Sequence, residues 1–349
     1  MTDSLNQNRI IRFDKISFAL SFMVVMIHAS YTAFYPTTEM MKHIIDDYYS
    51  DYISGFAVPG FFILSGIKFF NRFELNQTAL KIKKRFQSLV LPYLAWNLIS
   101  VIWAIIISYM PVISSLIAKR EQFIFSYDNL LGGLLWYKYI HPFWFLALLI
   151  IFTLLCPLVF YVIRNEYVGI AVIVCLYIIH ISVRFPDTSW PMIPIDTVLY
   201  SLLFYLIGGV IGRFHMKRIK EDSTKVQSMI ACFEFVLAVF LRSTEIHSLF
   251  VPAILLGFHS IWVLARMIKV PNWWLSTTFF IYPTHTFVLP VINKLLYFVL
   301  PQSSFMALVN TVLGTMVSFL ICIYLAKTYE LIVHRNKNRL LNGNRRINI

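Results

Sequence analysis

Charge is scarce in this chain. Only 13% of its 349 residues are Asp, Glu, Lys or Arg, against about 25% in a typical soluble domain. So few charges cannot cover a folded surface in water, which excludes an ordinary soluble enzyme. Cysteine is sparse as well. Cys156, Cys175, Cys232 and Cys322 all fall in apolar stretches without a CxxC spacing, which argues against disulfides and a zinc site. Apolar residues, by contrast, make up 58% of the chain, and the mean hydropathy is +0.70. Aromatics reach 17% (31 Phe, 19 Tyr, 8 Trp), as expected where rings sit at headgroup depth. The fold class is an all-α polytopic membrane protein.

A helix needs about 20 mostly apolar residues to cross the bilayer core. About ten segments meet that requirement, near 16–35, 52–70, 89–110, 142–163, 167–183, 197–213, 226–242, 249–266, 275–299 and 305–327. Pro59 and Pro283 lie inside segments and predict kinks. The first segment is too long for a signal h-region and lacks a small-residue cleavage site, so it reads as a retained helix. No internal repeat or soluble appendage is visible. The expectation is one membrane domain over 1–349, with a core at about 10–328 and a basic tail at 329–349.

The positive charge has a side. With the N-terminus inside, cytoplasmic stretches hold 23 of the 30 basic residues and outer loops hold 6. The inner set includes Arg12, Lys15, Lys81, Lys83, Lys84 and Arg85. The outer set is Lys42, Lys119, Arg120, Lys138, Arg184 and Arg242. This bias predicts both termini in the cytoplasm. The net charge of +13 therefore reads as orientation against anionic lipid, and no nucleic-acid partner is needed.

Two outer loops stand out. The first, about 36–51, carries Glu39, Asp46, Asp47 and Asp51 among tyrosines. The longest, 111–141, is rich in aromatics, including Phe123, Trp136 and Tyr139, and predicts a short interfacial helix. Ionisable residues at membrane depth are costly and mark candidate function. They are His28, His180, Glu234, His259, His285 and Lys294, with Asp196 near a helix end. His28 lies thirteen residues beyond Lys15, about 20 Å along a helix at 1.5 Å per residue. That places it in the outer half of the membrane, near the acidic loop. A neutral imidazole there can take a proton from a hydroxyl nucleophile. Its alternative is a hydrogen bond to a neighbouring helix.

Several blocks follow one another along the chain. The first helix reads RFDKISFALSFMVVMIHAS (12–30) and the second VPGFFILSGIKFF (58–70). Next come KIKKRFQSLVLPYLAW (81–96), HPFWFLALLIIFTLLCPL (141–158) and STTFFIYPTHTFVLPVI (276–292). In this order, over about residues 9–328, they resemble the acyltransferase 3 family of polytopic, acyl-CoA-dependent O-acyltransferases of bacterial surface glycans. The first blocks are most similar to its short, single-domain members, such as the enterobacterial common antigen O-acetyltransferase.

The resemblance implies transfer of an acyl group, acetyl by default, from cytoplasmic acetyl-CoA or another acyl-CoA to a glycan hydroxyl, with a first-helix histidine as the essential base. His28 matches that position. The family usually has an arginine eleven residues earlier, where this chain has Ser17. Arg12 and Lys15 are close enough to supply the charge. After the basic cluster the family often has further arginines, where this chain has Gln87 and Ser88. Lys81, Lys84 and above all Arg85, together with Lys15 and Arg12, are the residues expected to hold the phosphates of coenzyme A, although positive-inside anchoring explains them too. His141 and Trp144 match the family's histidine–tryptophan block, and an aromatic belt also accounts for Trp144. Tyr282 and His285 match the ninth-helix block, and with His141, Trp144, Asp46 and Asp47 they are the residues expected near substrate. Ser65 and Gly66 suit close helix packing, while Glu234 and His259 belong to no motif.

His28 either activates the hydroxyl directly or first accepts the acyl group. The implied acceptor is a glycan or lipid-linked oligosaccharide, the setting the inner (plasma) membrane with its lipid, and no metal takes part. The rival class is a transporter or flippase of a lipid-linked glycan, which lacks support because no inverted repeat is visible. A purely structural partner in polysaccharide assembly is a third.

Overall fold

The structure is a computed structural model and describes residues 2–109, 124–186, 193–216, 224–333 and 339–347, with side chains from residue 10 onward. Phe123 and the basic residues Lys119, Arg120, Lys217, Arg218, Lys220, Arg335 and Lys337 lie outside the described residues. Every regular element described is helical. The first are α1 (Thr2–Ile27), α2 (Ala57–Phe70), α3 (Thr78–Arg85) and α4 (Leu91–Tyr109). They are followed by α5 (Tyr127–Leu135), α6 (Trp144–Leu154), α7 (Cys156–Ile163) and α8 (Glu166–Ser182). The last are α9 (Ile195–Val210), α10 (Lys225–Ser243), α11 (Phe250–Leu264), α12 (Thr278–Val299) and α13 (Ser304–Val333).

Among the described residues, six helical runs are long and apolar enough to cross a membrane. They are Glu39–Phe70, Leu75–Tyr109, Ile195–His215, Lys225–Ser243, His247–Met267 and Ser304–Val333. A seventh is added if His141–Leu154 and Cys156–Ile163, bent by 70° at their break, form one span. The remaining three of the ten expected segments are helical but differ in character. Arg12, Asp14 and Lys15 interrupt the apolar stretch of α1, and α8 is short. Along α12, His285, Asn293 and Lys294 dilute the hydropathy.

Local chemistry accounts for the breaks. Pro157 sits in the first turn of α7 and has no N–H for the Thr153 carbonyl, so the chain bends there. Pro59 falls in the first turn of α2, where a missing N–H is harmless. Pro283 and Pro290 both lie within the unbroken α12. A capping box of Thr224 and Gln227 opens α10, and Ser126 caps α5 inside the long aromatic loop.

The described residues gather into two compact units. The first comprises residues 1–20, 56–86 and 145–269. Its centre is the crossing of α2 and α9, where backbones touch. Gly66 abuts the Tyr205 carbonyl, Gly208 abuts Ile63, and Gly212 abuts Ile67. Only residues without a Cβ fit at such a crossing. Around it Phe62, Phe70, Phe152 and Tyr205 form an aromatic core.

The second unit comprises residues 21–55, 87–144 and 270–349. Here α12 packs on α13 through buried amides. Asn310 donates to the Asn293 carbonyl and to the Tyr35 hydroxyl, each at 3.0 Å. The residues expected as a basic tail are partly held in place. Trp96 Nε1 donates to the Leu341 carbonyl at 2.9 Å, and Arg339 pairs with Glu330 at 2.8 Å.

Candidate active site

Three histidines from distant parts of the second unit line one cavity of about 420 Å³: His28, His141 and His285. Each is placed by a separate device. The helix expected to continue to residue 35 ends at Ile27, so His28 lies just beyond α1 rather than within it. The end is tightened by i−3 hydrogen bonds, from His28 N to the Val25 carbonyl (3.3 Å) and from Ala29 N to the Met26 carbonyl (3.1 Å). Asn293 Nδ2 then donates to the Ala29 carbonyl at 3.0 Å and ties this turn to α12. Asp46 accepts hydrogen bonds from Ser30 and Thr32 and fixes the chain that follows.

His141 opens the short 3₁₀ turn His141–Phe143. The Tyr282 hydroxyl donates to the Pro142 carbonyl. Phe143 stacks on Tyr282 at 5.6 Å and on Tyr93 at 5.7 Å, which clamps the turn between α4 and α12. Tyr282 thus supports the turn that carries His141.

His285, on α12, is fully buried (0% exposed). Its ring stacks on that of His28 with centroids 5.3 Å apart and planes at 26°. His285 Nδ1 lies 3.3 Å from the Ile281 carbonyl. A carbonyl only accepts, so Nδ1 carries the proton and Nε2 of the neutral ring is an acceptor. That Nε2 is buried without a hydrogen-bond partner among the described residues. His28 and His141, in contrast, are accessible. The cavity therefore presents two accessible imidazoles and one buried acceptor. Such a set is suited to taking a proton from a hydroxyl.

Lys138, Tyr139 and Thr286 line the same cavity. The site expectations from sequence did not include them, because neither a loop lysine nor a loop tyrosine carries a spacing signal. Burial pushes the Tyr139 phenol above its ordinary value, so it remains a donor through neutral pH.

Other expected residues fall elsewhere. The acidic stretch read as a loop is helical: α-helix over Glu39–Lys42, then π-helix over His43–Ile53. Asp47 is paired with His43, and neither Asp46 nor Asp47 is among the residues lining the cavity. Trp144 starts α6 and is also absent from that lining.

The basic cluster belongs to the first unit. Lys81 Nζ donates to the Phe69 carbonyl at 2.6 Å and lies over the Phe69 and Phe73 rings. Arg85 lies over Phe69 at 5.6 Å, and Lys83 and Lys84 are exposed. Arg213, which the sequence did not single out for a site, donates to the Phe73 carbonyl at 3.1 Å. Three cations thus meet around Phe69 and Phe73, a donor set that fits phosphate oxygens. Arg12 and Lys15 lie at a different place in the first unit. Arg12 sits over Trp262 at 4.7 Å, and Lys15 Nζ donates to the Arg266 carbonyl at 3.2 Å. Glu234 and His259, which no motif linked, form a pair at 2.7 Å. Among the described residues, no cluster of three or more His, Cys, Asp or Glu side chains is arranged to hold a metal.

A family model described as an acyltransferase domain matches residues 18–327. The matched stretch contains all three cavity histidines and the cluster at 81–85, and it begins after Arg12 and Lys15. No curated protein and no solved structure matches the chain. With an acyltransferase 3 domain matched over most of its length, and a helical architecture with several runs able to cross a membrane, the chain belongs to the acyltransferase 3 family.

Proposed function

We propose that the protein is a multi-pass O-acyltransferase of the bacterial inner membrane. It transfers an acyl group, acetyl in the simplest case, from acyl-CoA to a hydroxyl of a surface glycan or its lipid-linked precursor. The observation that carries the reading is the cavity where His28, stacked on His285, faces the same space as His141.

His28 is the general base. Its imidazole takes the hydroxyl proton as the oxygen attacks the thioester carbonyl. The new C–O bond forms, the C–S bond breaks, and the departing thiolate receives the proton from the imidazolium. Direct transfer requires the hydroxyl within about 3 Å of the imidazole. His285 Nε2 provides a second acceptor that orients the incoming hydroxyl, and Tyr139 and Lys138 supply donors on the cavity wall. Arg85, Lys81 and Lys84, joined by Arg213, hold the donor's phosphates.

The test is label transfer from radiolabelled acetyl-CoA by the detergent-purified full chain, with a lipid-linked glycan fraction as acceptor. His28→Ala is expected to reduce transfer by about 10²–10⁴-fold, the usual worth of a positioned base, while coenzyme A still binds. Full transfer by His28→Ala refutes the assignment. Movement of the lipid-linked glycan across vesicles without any label transfer identifies a flippase instead.

A further inference from the structure

A second cavity, of about 650 Å³, lies wholly within the first unit. It has a polarity gradient. Along α11 it is lined by positions 255, 258, 259, 262, 263 and 266, the i, i+3, i+4, i+7 pattern of a single helical face. From Leu255 to Arg266 this face runs about 16 Å at 1.5 Å per residue. Opposite it stand Ile63 and Ile67 of α2, Ile207 of α9 and Ile211 just beyond α9. Most of the length is therefore hydrocarbon.

One end is cationic. Arg266 lies in the turn that closes α11, and Arg12 lies over Trp262, one turn earlier. Both arginines line the cavity. Lys15 is brought to the same end by its bond to the Arg266 carbonyl. Between Arg12 and Lys15 the chain carries Asp14, and Glu234 is paired with His259 of the cavity wall. Gln227, in the first turn of α10, adds an amide beside the apolar residues.

We propose that this groove holds an anionic phospholipid. Its phosphate sits at Arg12, Lys15 and Arg266, and one acyl chain lies along the Ile63, Ile207 and Leu255 walls. A free phosphate makes no use of 16 Å of apolar wall, and a neutral lipid makes no use of the cations. The charge bias assigns this end to the cytoplasmic leaflet, where anionic lipids concentrate. The lipid site does not depend on the acyl-transfer reading. It also separates Arg12 and Lys15 from the donor-binding cluster around Arg85.

Trp262 is 6% exposed and lines the groove, so it reports on a chain that enters. The full-length protein is placed in phosphatidylcholine nanodiscs containing brominated phosphatidylglycerol or, at equal mole fraction, brominated phosphatidylcholine. Fluorescence of Trp262→Phe, subtracted from that of the unaltered protein, isolates this indole. Brominated phosphatidylglycerol is expected to quench it at least two-fold more than brominated phosphatidylcholine. Arg266→Ala removes the excess and Arg266→Lys retains part of it. Leu255→Phe, which fills the apolar length without touching a charge, lowers it too. Equal quenching by the two lipids overturns the proposal. So does an excess abolished by free coenzyme A in the aqueous phase, which would mean that these cations hold the donor.

Discussion

The rings of His28 and His285 stack with their centroids 5.3 Å apart, although 257 positions separate them in the chain. One is accessible to the cavity and the other is fully buried. The accessible ring can meet a substrate and exchange a proton. The buried one, whose tautomer is fixed by the Ile281 carbonyl, presents an acceptor of constant direction. This division of roles leads to the first prediction.

His285→Gln keeps a side-chain acceptor, whereas His285→Leu removes it with similar bulk. The leucine variant is expected to lose about 10²-fold in kcat, at the lower end of the effect of a positioned proton acceptor, and the glutamine variant less. Donor binding is unchanged in both. Steady-state transfer assays at saturating acyl-CoA check this, and equal activity of the two variants counts against an acceptor role.

Tyr282→Phe deletes the hydroxyl that donates to the Pro142 carbonyl and keeps the stack on Phe143. The lost hydrogen bond is worth about 1 kcal/mol. The turn carrying His141 loosens, so KM for the acceptor should rise with little change in thermal stability. Unaltered KM would show that the aromatic stack alone holds the turn.

Asn293→Leu leaves the Ala29 carbonyl without its amide donor. An unmade buried hydrogen bond costs about 1–3 kcal/mol. Because Ala29 adjoins His28, both the unfolding temperature in detergent and kcat should fall together. A fall in temperature with full kcat would make Asn293 purely structural.

Gly66→Ala places a Cβ on the Tyr205 carbonyl oxygen and close to Gly208 and Gly209. Overpacking of this kind costs about 1–3 kcal/mol, and a backbone neighbour cannot rotate away. Thermal unfolding in detergent should show a lower midpoint, with the same sign for Gly208→Ala, which meets Ile63.

Arg85→Ala should weaken coenzyme A binding about ten-fold, equivalent to about 1.4 kcal/mol, without unfolding the protein. Arg85→Lys should recover only part, since a point charge does not reproduce the guanidinium fork. Titration calorimetry on the purified variants reads this directly, and an unchanged Kd removes Arg85 from the donor site.

The amino-acid order alone determined a helical membrane architecture. Apolar runs of membrane length are a local property, readable without knowing what packs on what. It also marked His28 and His285, because an imidazole among Leu, Ile and Phe is conspicuous in a chain with 13% charge, while His141 stood out only through the block that resembles the family's. Gly66 was legible for the same local reason, as a small residue in a helix of large ones. What remained hidden was partnership. That α1 stops at Ile27, that Asp46 is bound to Ser30 and Thr32, and that Glu234 meets His259 were all decided by the tertiary structure. So was the placing of Arg12 over Trp262. These contacts join residues up to about 250 positions apart, and they depend on how closely helix backbones approach and on which buried amides find donors. Hydropathy is a sum along the chain and holds no record of either.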